Sequence, residues 1–70
     1  MRVPFSTAFQ NNADGTITII RPIRVGGVAL NNVTLSGGIN VAGVNLYQLR
    51  NKDLEAHYEN GVLVIDGYYN

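Results

Sequence analysis

Two stretches of this chain share one pattern: IRVGGVALNNV at residues 23–33 and INVAGVNLYQL at residues 39–49. Both read I-x-V-small-G-V-x-L-x-x-[V/L], which is rich in β-branched and aliphatic residues and typical of strands. In each copy the alternation of apolar residues changes parity at the glycine, from Ile23 and Val25 to Val28 and Leu30 in the first. Such a change indicates a bulge or bend, which glycine permits. We therefore predict an all-β fold built around a duplicated strand unit.

Two arrangements use this duplication. A parallel solenoid would stack the two copies, but stable solenoids generally need about three repeats or more. An antiparallel hairpin would turn at Ser36-Gly37-Gly38, and a three-residue loop that contains glycine is a common hairpin connection. We favour the hairpin because all of its facing pairs are apolar. These predicted pairs are Leu35/Ile39, Val33/Val41, Leu30/Val44, Val28/Leu46 and Val25/Leu49.

The remaining sequence also indicates strands. Val3 to Phe9 alternates in polarity, and Thr16 to Val25 forms a second run that Pro22 interrupts. Near the end of the chain, Asn60-Gly61 lies between two alternating runs and predicts a two-residue hairpin turn. That loop places Glu59 opposite Val62, Tyr58 opposite Leu63, His57 opposite Val64, and Ala56 opposite Ile65. The prediction is a single all-β domain, residues 1–70, with about five antiparallel strands in a small barrel or a meander sandwich.

Composition excludes several classes of protein. The 70 residues include five basic and five acidic side chains, and charged residues make up 14%, against about 25% in typical domains. This balance argues against a nucleic-acid partner and against a membrane-surface helix. No apolar run reaches the roughly 20 residues of a membrane span, and the N-terminal sequence does not resemble a signal peptide. We expect a soluble protein, cytoplasmic or virion-associated.

The same composition favours self-association. Chains this short bury little surface and usually gain stability from disulfides, a metal or oligomerisation. There is no cysteine, so disulfides and thiolate metal sites are excluded. We predict a homo-oligomer, with other proteins of an assembly as further partners. The predicted interface residues are apolar groups at the tip of the repeat hairpin and on the last strand: Val33, Leu35, Ile39, Val41, Val62 and Val64.

Residues that could support chemistry are few. Glu55, His57 and Glu59 share one strand face, and Asp66 is predicted opposite Glu55. One His among carboxylates is more often a solvated strand face than a metal centre. A nucleophilic triad needs Ser or Cys with His and a carboxylate, and no local signature of one is present. We predict no catalytic residue, cofactor or metal, and therefore no enzyme.

One segment resembles a known family. Val62-Leu63-Val64-Ile65-Asp66-Gly67 is similar to the apolar-apolar-Arg-Gly signature of Sm/LSm proteins, although Asp66 stands in place of the arginine. The resemblance implies a small SH3- or Sm-like barrel that forms rings, with late strands pairing between subunits, and binding of single-stranded RNA. In such a ring, Arg50 and Lys52 would form a basic rim. The sequence favours a structural or interaction module, of the kind found in viral particles and scaffolds, with an Sm-like RNA-binding ring as the alternative.

Overall fold

The computed structural model describes residues 1–36, 40–41 and 43–70, except for the side chain of Val44. Strands dominate, and two short 3₁₀ helices lie at Phe5–Thr7 and Leu46–Leu49. The strands are β1 Arg2–Val3, β2 Phe9–Asn11, β3 Ile17–Ile19, β4 Ile23–Val25, β5 Val28–Leu30, β6 Thr34–Leu35, β7 Asn40–Val41, β8 Val44–Asn45, β9 Leu54–Glu59 and β10 Val62–Tyr68. The all-β prediction is confirmed.

The largest sheet has five strands in the order β1-β9-β10-β4-β5. A second sheet has the order β2-β3-β6, and β7 and β8 form a two-stranded ribbon. Within the described part of the chain, the strands do not close into a barrel. The prediction that all strands are antiparallel is wrong, because β4 and β10 are parallel, with Leu63 opposite Ile23 and Ile65 opposite Val25. Parallel neighbours need a long connection between them, which residues 26–61 supply.

The predicted C-terminal hairpin is confirmed. The four pairs from Glu59/Val62 to Ala56/Ile65 have the expected register, and Asn60 and Gly61 have the positive φ angles, 52° and 83°, that a type I′ turn requires. One expectation for this hairpin is wrong. The register shifts between Ile65 and Gly67, so Gly67, not Asp66, lies opposite Glu55. The bulge leaves Asp66 outside the paired positions.

The repeated stretches form short hairpins and not one long hairpin. In the first copy β4 pairs antiparallel with β5, with Val25 opposite Val28 and Ile23 opposite Leu30. In the second copy β7 pairs with β8, and Val41 lies opposite Val44. A two-residue turn explains the parity change, because facing residues then have numbers of opposite parity. The predicted bulge at the glycine is therefore the turn of a hairpin.

The long hairpin that we expected is not formed. Val25, Val28 and Leu30 take partners within β4 and β5, and Leu35 lies opposite Ile17 of β3. Leu46–Leu49 is a 3₁₀ helix rather than a strand, and the Asn45 side chain accepts a hydrogen bond from the Tyr47 amide at its start. The predicted turn residues Gly37 and Gly38 and the predicted partner Ile39 lie outside the described residues.

Pro22 and Pro4 also divide segments that we predicted as single strands. Thr16 to Val25 becomes β3 and β4, which belong to different sheets on either side of Pro22. Proline has no N–H to continue a sheet ladder. The first predicted strand is broken in the same way, because Pro4 precedes the 3₁₀ helix at Phe5–Thr7. These breaks allow a short chain to fold one sheet over the other.

The core lies between the two main sheets and contains no buried polar side chain among the described residues. Phe5 and Phe9 stack with ring centroids 4.7 Å apart. The buried side chains are Phe5, Ala8, Phe9, Ile17, Ile19, Ile23, Val25, Val41, Leu46, Leu49, Leu54, Ala56, Leu63 and Ile65. Burial of this apolar set supplies most of the driving force for folding.

The turn between β4 and β5 leads to a stability prediction. Gly27 has φ +89° with open space around its α-carbon, so the backbone angle and not a steric clash requires glycine there. Gly27→Val should lower the free energy of unfolding by about 1–3 kcal/mol. Urea unfolding of the dilute protein measures the loss. Gly67→Ala is the control, because Gly67 has open space without a positive φ; equal losses in both variants would contradict the assignment.

Candidate functional site

The two edges of the five-stranded sheet differ in how they are protected. β1, at one edge, carries Arg2, which pairs with Asp53 at 2.8 Å (Nε to Oδ2), and Pro4 follows it. Charge and proline are the usual means by which an edge strand avoids pairing with another chain. β5, at the other edge, carries neither, and no residue from Gly26 to Val33 is charged or a proline. No described strand pairs with its outer side.

The hairpin register determines which groups this edge presents. In a two-residue hairpin the residues that flank the loop exchange hydrogen bonds, and the next pair along does not. Val25/Val28 is the flanking pair and Arg24/Ala29 the next. The N–H and C=O of Ala29 therefore point away from β4, towards the open edge. Ala29 is exposed, and the neighbouring Val28 side chain is 39% exposed. We call residues Val28–Leu30, with their outward backbone groups, the β5 edge.

The β5 edge was not found by sequence analysis, although a signal was present. Gly26-Gly27 between apolar residues is a two-residue hairpin signal of the same type as Asn60-Gly61. We interpreted it as a bulge within a longer strand. With the hairpin assigned, the position of β5 at a sheet edge still depends on the parallel pairing of β4 with β10, for which the sequence has no local marker.

The only histidine lies in a carboxylate clamp on the solvent face of the same sheet. His57 Nδ1 is 2.7 Å from Asp66 Oδ2, and His57 Nε2 is 2.7 Å from Glu59 Oε2. Glu59 also lies 3.8 Å from the Arg24 guanidinium. Only the protonated imidazole can donate to both carboxylates. The hydrogen bonds with Asp66 and then with Glu59 raise the pKa of His57 above its ordinary value of 6.5.

Glu55 does not join this clamp, although we predicted it on the same face as His57. Its carboxylate lies 2.9 Å from the amine of Met1, and hydrogen bonding with that amine lowers the pKa of Glu55. The described residues include no group of three or more His, Cys, Asp or Glu side chains arranged to hold a metal ion. The hydrogen bonds of His57 with Asp66 and Glu59 show proton binding and local charge pairing in the clamp.

The clamp predicts a pH dependence of stability. Because the pKa of His57 is raised in the folded state, its stabilising contribution is full below about pH 6.5 and is lost as the pH rises through the folded-state value. Wild-type protein should lose more urea resistance than His57→Gln between about pH 5.5 and about pH 9. The variant should otherwise fold normally, because the side chain is exposed. A His57 pKa at or below 6.5 by NMR titration would contradict the clamp.

Arg50 and Lys52, the two residues of the predicted basic rim, each lie against a tyrosine ring. The Arg50 guanidinium carbon lies 5.2 Å from the Tyr47 ring centroid, and Arg50 Nε donates to the Asn11 side chain at 2.8 Å. Lys52 Nζ lies 4.6 Å from the centroid of the Tyr68 ring. These cation–π contacts fix both side chains locally. RNA binding through this rim stays a prediction.

The predicted interface residues lie in three different environments. Val33 and Leu35 are half-buried and pack against the core, and Val41 is a core residue. Val62 and Val64 are half-buried on β10, and Val64 lies between His57 and Arg24. Ile39 is outside the described residues. Both sides of β10 already pair with strands of this chain, so β10 does not present the free edge that the Sm/LSm resemblance implies.

Fold and surfaces together define a small all-β protein of two main sheets, in which no described strand pairs with the outer side of β5. Comparisons with models of protein families, with curated proteins and with solved structures found no match. Among the described residues, no helix is long and apolar enough to cross a membrane.

Proposed function

We propose that this chain is a non-enzymatic, self-assembling structural or interaction module whose β5 edge pairs with the β5 edge of a second copy. The observation that carries the proposal is the contrast between the two sheet edges. β1 has a charge and a proline next to it, whereas β5 has neither, and among the described residues no strand pairs with its outer side. An unprotected edge strand is a template for pairing with another chain.

A second copy fits this edge by symmetry. Antiparallel pairing about a two-fold axis at Ala29 would place Ala29 opposite its own copy, and the two residues would exchange both of their outward hydrogen bonds. On the face towards the core, Val28 would lie opposite Leu30 of the other copy, and both pairs are apolar. Apolar cross-strand pairs stabilise such an interface.

Electrostatics permit the same arrangement. The charged residue nearest to Ala29 across the strands is Arg24, its partner on the neighbouring strand β4. Its copy would be three strand spacings away, about 14 Å, which exceeds the screening length of about 8 Å at physiological salt. The chain carries no formal net charge, so repulsion between whole molecules is also small. Because the edge is only three residues long, we expect a weak pair, of the class that buries less than about 1,200 Å².

Hydrogen exchange tests this pairing at single residues. The Ala29 amide should exchange rapidly in dilute protein and become protected as concentration rises, because the pair would engage its N–H. The Val28 amide is the internal control, since β4 already engages it in the monomer. Ala29 exchange that stays rapid at every concentration would contradict the proposal.

A further inference from the structure

A second surface, independent of the β5 edge, has the features of a small-molecule site. A groove of about 510 Å³ lies where the 3₁₀ helix at Phe5–Thr7 and β2 approach the turn after Leu49. Its size is within the range of about 300–1,000 Å³ typical of ligand pockets. Phe5 and Phe9 belong to its lining and are fixed by their mutual stacking and burial in the core. The floor is therefore preformed.

The rim is formed by carboxamides. Gln10, Asn11 and Asn51 line the groove, and Asn11 Nδ2 donates to Asn51 Oδ1 at 2.9 Å. This bond joins β2 to the turn after the second 3₁₀ helix, 40 residues away in sequence. A carboxamide has two N–H donors and an oxygen with two lone pairs, so each of these amides keeps capacity for a ligand. Asn11 and Asn51 therefore offer hydrogen-bond donors and acceptors side by side.

The charges around the groove favour a neutral ligand. Among the described residues, no basic side chain lines the groove, and the one carboxylate in the lining, Asp53, is paired with Arg2 at 2.8 Å. Arg50, behind the rim, donates to the Asn11 oxygen. An anion would find no free cation in the lining, and a cation would compete with Arg2 for Asp53.

The chemistry that matches the groove is a sugar ring. A hydroxyl both donates and accepts, as a carboxamide does, and a pyranose also has an apolar C–H face. Pro4 and Ile20 provide exposed apolar surface for that face, and Ile20 is 43% exposed. We propose that this groove binds a neutral saccharide through the carboxamides of Gln10, Asn11 and Asn51.

NMR titration of the full chain, observing backbone and side-chain amides, tests this site. The probes are methyl β-glucoside, methyl β-galactoside and maltose, with glucose 6-phosphate and glucosamine as charged comparisons. At least one neutral sugar should give saturable shifts at the Gln10 and Asn51 side-chain amides, with affinity in the millimolar range. The charged analogues should bind more weakly. No saturable shift with any neutral probe, or tighter binding of a charged analogue, would overturn the proposal.

Two variants locate the binding. Asn51→Gly removes the carboxamide but suits the positive φ of 59° at this position, and it should weaken binding about fivefold through loss of one or more hydrogen bonds. Gln48→Ala removes an exposed carboxamide outside the groove lining and should leave affinity unchanged. Equal affinity in Asn51→Gly and wild type would overturn the assignment of the rim.

Discussion

Phe9→Ala is expected to lower the free energy of unfolding by about 3–5 kcal/mol. Phe9 is 1% exposed, stacks against Phe5 and starts the strand that pairs with β3. The substitution removes the largest type of side chain in this core and leaves a cavity that the short strands around it can close only in part. Small domains have about 5–15 kcal/mol of total stability, so the variant should be largely unfolded in mild urea.

Chemical denaturation followed by circular dichroism measures this loss. Ile20→Ala is the matched control, because Ile20 is also a large apolar residue near β3 but is exposed. Its effect should be within about 0.5 kcal/mol, as for other surface substitutions. A loss below about 1 kcal/mol for Phe9→Ala would show that the core between the two sheets is not packed as described.

Ala29→Lys is expected to weaken self-association at least about tenfold. The substitution places an ammonium group at the centre of the β5 edge, and in a two-fold pair the two introduced charges would face each other. A lysine on an edge strand is a natural means of preventing such pairing, and like charges directly opposite are destabilising. The monomer should keep its stability, because Ala29 is exposed.

Gln10→Lys is the control for this substitution. Gln10 is exposed on β2, at an edge of the other sheet, so the variant has the same added charge in a different place. Sedimentation equilibrium should show wild-type association for Gln10→Lys and a monomer for Ala29→Lys. If both substitutions weaken association equally, net charge and not the β5 edge controls it.

The C-terminal hairpin was predictable in detail because its signal is local. A two-residue Asn-Gly loop between alternating residues fixes the register by itself, and the observed pairs from Glu59/Val62 to Ala56/Ile65 follow it. The bulge beyond Ile65 was not predicted, although Gly67 in the interior of the strand is a common signal of one. This bulge places Asp66 beside His57 instead of opposite Glu55, which determines the composition of the clamp.

The repeats show why local patterns did not determine the whole topology. A long hairpin about Ser36-Gly37-Gly38 and two short hairpins at the inner glycines both pair apolar residues with apolar residues. Both the long hairpin and the two short hairpins fit the alternation of apolar residues, so this alternation does not distinguish the two arrangements. The short hairpins also allow β4 to lie parallel to β10, with Leu63 beside Ile23. That contact spans 40 residues and depends on tertiary packing rather than local preference.

The candidate surfaces also differ in how far the sequence predicted them. Glu59 was identified as a neighbour of His57 from its spacing of two along a strand, whereas Asp66 was predicted opposite Glu55. The β5 edge and the groove next to Asn51 depend on which strands become neighbours, and sequence analysis missed both. In the groove, Asn11 and Asn51 meet through a contact between distant segments, which one sequence does not reveal.

Self-assembly of the wild-type protein can be measured by sedimentation velocity over a concentration series. The series should extend from about 10 µM to about 1 mM, the range in which association free energies of about −7 to −4 kcal/mol become visible. We expect the weight-average mass to rise from the monomer value of 7.6 kDa towards twice that mass. A single species of 7.6 kDa at every concentration would contradict it.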